Sequence, residues 1–225
     1  MRRDFVIGAA IALALSIPQC DGMAGSLPKP TKVTAPAGTY TADKAHTSLI
    51  FRVNHMGFSN FTGRLSRVDI QLQFDPAHPA QSKVDATIDP LSLETDNPPA
   101  HFLDELHGPS WLDAAKFPAI TFHSTRVVLT GSNTARITGD FTLHGETHPI
   151  VLNAKFNGGY SGSPMDPHGR VGFSLRGSFK RSAFGMGAWV PKPGTTFGVG
   201  DVIEVAIESE LGGPAWTPKK SSTGE

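Results

Sequence analysis

Nine histidines, one cysteine and a scatter of acidic residues are the side chains of this sequence that could do chemistry. His144 and His148 stand four apart with Glu146 between them, a spacing that would suit a metal if it lay on a helix. Gly145 and Pro149 make a helix unfavourable there, so a turn sets the two rings on adjacent strand ends. His46, His55 and His123 fall on or near extended segments, and His101 and His107, six apart, are not a facing pair. None of these spacings matches a zinc signature. Asp104-Glu105 lies on an exposed helical face, and Asp85, Asp89 and Asp96 lie near strand ends, where solvated carboxylates are ordinary. No G-x-S-x-G elbow, phosphate-binding loop, dinucleotide fingerprint or H-E-x-x-H occurs. The expectation is a protein without catalytic residues, metal or cofactor. A metal-dependent envelope enzyme built on the scattered histidines is the rival.

The remaining chemistry is apolar. Fourteen phenylalanines stand against two tyrosines, and 39% hydrophobic with 18% charged residues is enough for a real core. Each methylene buried in such an interior is worth ~0.8 kcal/mol, so a long hydrocarbon chain could be held with no polar contact. The same side chains could instead fill the core solidly, as in a stress-response or interaction module. Twenty basic and twenty acidic residues cancel, and no basic run occurs, so nucleic acid is not an expected partner.

Strands must position these residues. Leu49, Phe51 and Val53 alternate with polar neighbours, as do Phe61, Gly63 and Leu65. The phase then slips to Val68, Ile70, Leu72 and Phe74, which predicts one long strand with a bulge near Ser66-Arg67. Similar sets follow at 84–88, 120–122, 127–129, 137–143, 150–156, 171–179 and 203–207. About eight strands with short turns (Gly131-Ser132-Asn133, His144-Gly145-Glu146) and no intervening helices predict an all-β, extended, antiparallel eight-stranded barrel. Residues 100–106, after Pro98-Pro99, carry Phe102, Leu103 and Leu106 at helical spacing and predict a short helical cap over one mouth. The stretch 184–200 interleaves glycines and prolines with Phe184, Met186, Trp189, Val190 and Phe197, a long loop suited to a ligand entrance.

The N-terminus has Arg2 and Arg3, an apolar run over 5–17 too short to cross a bilayer, and small residues at Gly22 and Ala24. These predict a signal peptide over 1–24, a flexible lead-in over 25–38, a barrel domain over 39–212 and a disordered tail over 213–225. The expected location is the periplasm or the exterior, with no membrane span once the signal is removed. Lipidation of Cys20 is the lesser alternative, since Ile17-Pro18-Gln19 precedes it instead of small residues.

Tyr40-x-x-Asp43-x-x-His46-Thr47-Ser48, Phe51-x-Val53-x-His55-x-Gly57-Phe58-Ser59 and Phe61-x-Gly63 resemble the start of the YceI-like family of lipid/polyisoprenoid-binding proteins. Asp89-x-Leu91-Ser92-Leu93-x-Thr95, Trp111-Leu112-Asp113-x-x-x-Phe117-Pro118-x-Ile120-Thr121-Phe122, Gly139-Asp140-Phe141-Thr142-Leu143-His144-Gly145 and Phe179-Lys180-Arg181-Ser182-x-Phe184-Gly185 follow in that family's order. Pro98-Pro99-Ala100 replaces the usual Arg-Asp pair, and Trp111-Leu112 stands where two aromatics often do. The resemblance implies a lipocalin-like barrel that takes a polyisoprenoid chain, such as an isoprenoid quinone or polyprenyl phosphate; a homodimer stays open. Phe51, Val53, Leu65, Ile70, Leu72, Phe122, Phe141, Leu143, Phe173, Leu175 and Phe179 are the candidate wall of the pocket. Phe102, Leu106, Trp111, Phe184 and Trp189 are candidates for its entrance, and Arg52, Arg181 or His46 for a polar head group.

Overall fold

The computed structural model describes residues 34–217; the expected signal peptide, Cys20, most of the lead-in and the end of the tail lie outside them. The strands are β1 Gly38–His55, β2 Ser59–Leu65, β3 Val68–Phe74, β4 Lys83–Ile88, β5 Leu93–Thr95, β6 Ile120–Leu129, β7 Thr134–Leu143, β8 Glu146–Tyr160, β9 His168–Lys180 and β10 Val199–Ala215. Among the described residues there is one α-helix, α1 Phe102–His107, between β5 and β6.

β2 and β3 are two halves of one bent wall strand. Residues 49–55 of β1 pair with β2 and residues 38–41 with β3, and the break falls at Ser66 and Arg67, where the hydrophobic phase slips. β4 and β5 make the next wall strand in the same way, pairing with β3 and β2. A one-turn 3₁₀ segment, Pro90–Ser92, separates them. Asp89 caps that turn by accepting from the Leu91 N–H, and Arg67 fastens Asp89 from the neighbouring bend. With each broken strand counted once, the ten strands give eight wall positions, and β1 closes the ring on β10. Irregularities at 42–47 on β1 and at 124–126 on β6 bend the wall, as closure demands. The shift on β6 also joins the two apolar pairs 120–122 and 127–129 into one strand.

Outward positions carry the charge, as in the Arg64–Glu94 and Arg176–Glu208 pairs. That is the reverse of a transmembrane barrel, whose outer band is apolar. Among the described residues no helix is long and apolar enough to cross a membrane.

One end of the ring is shut by packing. Tyr40 is fully buried, its hydroxyl donating to the Pro36 carbonyl at 2.6 Å, and it packs with Ala35, Leu72, Phe74, Val171 and Leu211. Phe74, Phe156 and Phe173 close on one another with ring centres 5.2–6.0 Å apart. β10 runs past 212 to Ala215 because Gly213 lies directly against the Tyr40 ring: a β-carbon there would stand 2.1 Å from Cε1. Outside this plug Arg170 bridges Asp43 at 3.0 Å and Asp166 at 2.7 Å.

His46 and Arg170 hydrogen-bond Asp43 and hold its carboxyl at about 2, below the ordinary 3.8. The folded chain therefore binds that proton more weakly than the unfolded chain, so the pairing adds stability above about pH 4 and loses it as pH falls towards 2. Asp43→Asn is expected to lower the urea midpoint at pH 7 and to converge on wild type as the pH is brought down to about 2.

Candidate functional site

The period-2 alternation puts one face of every wall strand on the barrel axis, and those faces do not meet. They enclose a cavity of about 550 Å³, within the ~300–1,000 Å³ usual for small-molecule sites. Leu49, Phe51 and Val53 line it from β1, Ile70 and Leu72 from β3, and Val84, Ala86 and Ile88 from β4. Phe122, Phe141, Leu152, Leu175, Phe179, Val205 and Ile207 complete the circuit.

Two glycines keep bulky rings off the axis. Gly63 pairs with Phe51, and a β-carbon on it would stand 2.6 Å from the Phe51 ring. Gly139 lies under Phe122, where a β-carbon would come within 2.4 Å. Both rings lie back on bare backbone and leave the centre open.

The end opposite the aromatic plug is covered by a cap, not sealed by wall residues. β5 has β2 on one side and no strand on its other edge, and the segment from 96 to 119 crosses that opening. Phe102 of α1 packs edge-on to Phe61 with centres 5.9 Å apart, and Phe61 lies 6.3 Å from Phe51, so one aromatic row joins wall to cap. At the far side Phe117 sits 4.9 Å from the His144 ring and against Gly145, in the turn joining β7 to β8. Asn97, His101 and Asp113 in this segment adopt left-handed backbone conformations, which these residue types tolerate best. The helix starts at Phe102, later than the position after Pro98-Pro99 suggested, because His101 takes that left-handed turn.

Arg181 is the one cation that reaches the cavity wall among the described residues, and it is only 2% exposed. Its Nε donates to the Gly200 carbonyl at 2.9 Å, Nη2 to Val199 at 2.8 Å and Nη1 to Met186. The guanidinium carbon lies 5.1 Å from the centre of the Trp111 ring. Burial pushes the Arg181 group down from its usual range, while Asp201 pulls it up. Carbonyl dipoles and an aromatic face thus offset the desolvation of a charge with no carboxylate in its hydrogen-bonding shell. Four buried polar atoms at this end find no partner: Thr95 Oγ1 at the end of β5, Trp111 Nε1 and His107 Nε2 in the cap and, on the opposing turn, His144 Nε2; of these residues Thr95 and Trp111 line the cavity. Each such atom costs about 1–3 kcal/mol, so the cap end carries hydrogen-bonding capacity the protein does not itself use.

The structure brings together every expected wall residue, and Phe102, Leu106 and Trp111 from the expected entrance. Phe184 and Trp189 do not line the cavity. Phe184 is buried behind the wall, its ring 5.4 Å from both Phe141 and Phe179, because the 3₁₀ turn Arg181–Phe184 folds it under the sheet end. Trp189 points to solvent. Of the head-group candidates, Arg52 is exposed and His46 is paired outside with Asp43, which leaves Arg181. Several liners were missed. Leu49, Ile137, Ile150, Val205 and Ile207 carry the same alternation and were legible from it; Thr95 ends the three-residue β5, too short for a periodic signal, and Pro98 and Pro99 lie in the irregular segment after it. His123 pairs with Asp85 and His101 with Asp104, and among the described residues no three His, Cys, Asp or Glu side chains gather as a metal site.

A closed antiparallel barrel of eight wall positions around an apolar cavity is the architecture of lipocalin-like binding proteins. A sequence profile of the YceI-like domain matches residues 40–211, and the chain belongs to the YceI-like family. A UPF0312 protein of Vibrio cholerae is 37% identical over 156 residues, which cover 68% of this chain and 79% of the relative. The crystal structure of Burkholderia cenocepacia BcnA superposes with a TM-score of 0.64 at 24% identity, covering 75% of this chain and 98% of that one. A polyisoprenoid binding domain from Saccharophagus degradans, implicated in plant cell wall breakdown, shares the fold at a TM-score of 0.55 and 11% identity, covering 79% and 99%.

Lysine offers one point charge where Arg181 spreads three directed donors over three carbonyls. Arg181→Lys is expected to cost about 2–4 kcal/mol in chemical denaturation, with proteolytic cleavage appearing first in the loop at 186–200.

Proposed function

We propose that the protein is an exported, non-catalytic carrier that holds the hydrocarbon tail of an isoprenoid lipid, an isoprenoid quinone or a polyprenyl phosphate, inside the barrel. The observation that carries this reading is the cavity itself, walled by aliphatic and aromatic side chains from every wall strand. A solid-core module would need those side chains to meet on the axis, and they stop short of it. A chain threaded down the tube gains ~0.8 kcal/mol for each methylene it buries. The aromatic plug at one end directs a single-tailed molecule to enter tail-first from the capped end. Its polar head then lies beside Thr95, Trp111 and Arg181, where donors without partners are concentrated. The shared fold of the polyisoprenoid binding domain from Saccharophagus degradans supports this cargo class, and the charged and apolar pattern of residues 1–24 supports export to the periplasm or beyond.

Organic extraction of protein from its native source, followed by mass spectrometry, is expected to yield an isoprenoid in near-stoichiometric amount; an empty extract would overturn the carrier reading. Ala86 faces the lumen between Ile70 and Phe122, so Ala86→Trp fills the bore. That variant is expected to keep its β-sheet circular dichroism and to retain less than about a tenth of the wild-type lipid.

A further inference from the structure

Beyond the cavity, the described residues leave three large aromatic side chains mostly in water at one end of the barrel. Phe58, Trp189 and Phe197 are 84%, 66% and 68% exposed, and among the described residues no other Phe or Trp is largely exposed. They belong to two loops that pack on each other at the capped end. Gly57 faces the Thr196 side chain, where a β-carbon would lie 3.2 Å away, and the Met56 N–H donates to the Gly198 carbonyl at 2.9 Å. The same loops border the cavity, since His55, Ser59 and Val199 line it on either side of them. Trp189 has φ +60°, a left-handed conformation rare for a bulky residue, held by the Val199 N–H donating to the Trp189 carbonyl at 2.8 Å. The backbone is thus fastened in a conformation that keeps this ring outside the barrel.

We propose that Phe58, Trp189 and Phe197 seat the mouth of the barrel on a phospholipid bilayer. Trp and Phe partition to the boundary between head groups and acyl chains, and three of them on one rim form a patch of the kind that marks an interaction surface. Neither 55–60 nor 184–200 contains an acidic residue, and Lys192 is the only cation in them, so the attraction is apolar and needs no anionic lipid. Acidic side chains at this end lie in the cap segment (Asp96, Asp104, Glu105, Asp113), at the β7–β8 turn on the far side (Glu146) or, like Asp201, are tied to Ser182, and none lies in the two loops that carry the aromatic rim. A bilayer surface also fits the proposed cargo, and in that respect the docking rests on the carrier reading: an isoprenoid tail could pass between membrane and tube without crossing water.

The full chain and its Phe58→Ser/Trp189→Ser/Phe197→Ser variant are floated with phosphatidylcholine vesicles, and both are extracted for bound isoprenoid. Residues 5–17 are common to the two, so their difference reports the rim alone. Wild type is expected to float, and the triple variant to lose partitioning by at least about tenfold while keeping its lipid. Brominated phosphatidylcholine is expected to quench a share of the tryptophan emission that disappears in Trp189→Phe. Equal flotation of both proteins, or quenching unchanged in Trp189→Phe, overturns the docking. So does a dimer that the triple substitution dissolves without any vesicle binding, which would give the rim to a second copy. Rim-dependent flotation of a protein with no isoprenoid in its extract would sink the carrier reading and leave the docking standing; bound isoprenoid with no rim-dependent flotation would do the opposite.

Discussion

The ladder between β1 and β10 is the constraint from which the rest follows. Once it forms, the sheet has no free direction in which to flatten, and the number of wall positions sets the distance across the ring. At eight positions that distance is close to what opposed side chains can just fill. Whether the tube is solid or hollow then depends on small choices at the inner positions. Here the choice is uneven along the axis: four aromatic rings meet at one end, while the middle is lined by aliphatic residues and by rings laid back over glycine.

This unevenness gives the molecule a direction. The plugged end is tightened by Tyr40 inside and by the Asp43–Arg170–Asp166 bridge outside. The other end is spanned by a short helix and irregular chain, pinned at its margins by Phe61 and by the turn at His144. Its buried polar atoms lack partners, so this end holds less favourable internal bonding than the plug. Arg181, directly after β9, ties the beginning of the 184–200 loop to the start of β10, and it does so through carbonyls, which keeps its charge next to the cavity and unneutralised by a carboxylate bond.

Much of the wall was legible because a strand buried on one face must alternate. Leu49-Phe51-Val53 and Phe173-Leu175 show it directly, and even the bend at Ser66-Arg67 announced itself as a slipped phase. The cap was legible in outline from Phe102, Leu103 and Leu106. The loop at 184–200 was not, since its aromatics follow no period. Phe184 and Trp189 look alike in sequence, yet a 3₁₀ turn carries one under the sheet and a left-handed residue turns the other outward. Arg181 was visible only as one of several cations; its burial depends on carbonyls contributed from positions 186, 199 and 200, which no local pattern foretells.

The pairing of Gly63 with Phe51 and of Gly139 with Phe122 has a wider bearing. The calibre of the tube depends on these missing methyl groups in the wall as well as on the residues that visibly line it. At Gly63 a single added carbon would meet chiefly the Phe51 ring and force it off the wall; at Gly139 it would also stand 2.6 Å from the His123 carbonyl, so the strand itself would have to give. For the proposed carrier, the bare backbone opposite Phe51 is thus an economical control on the thickness of what the tube admits, one in which selectivity changes ahead of architecture.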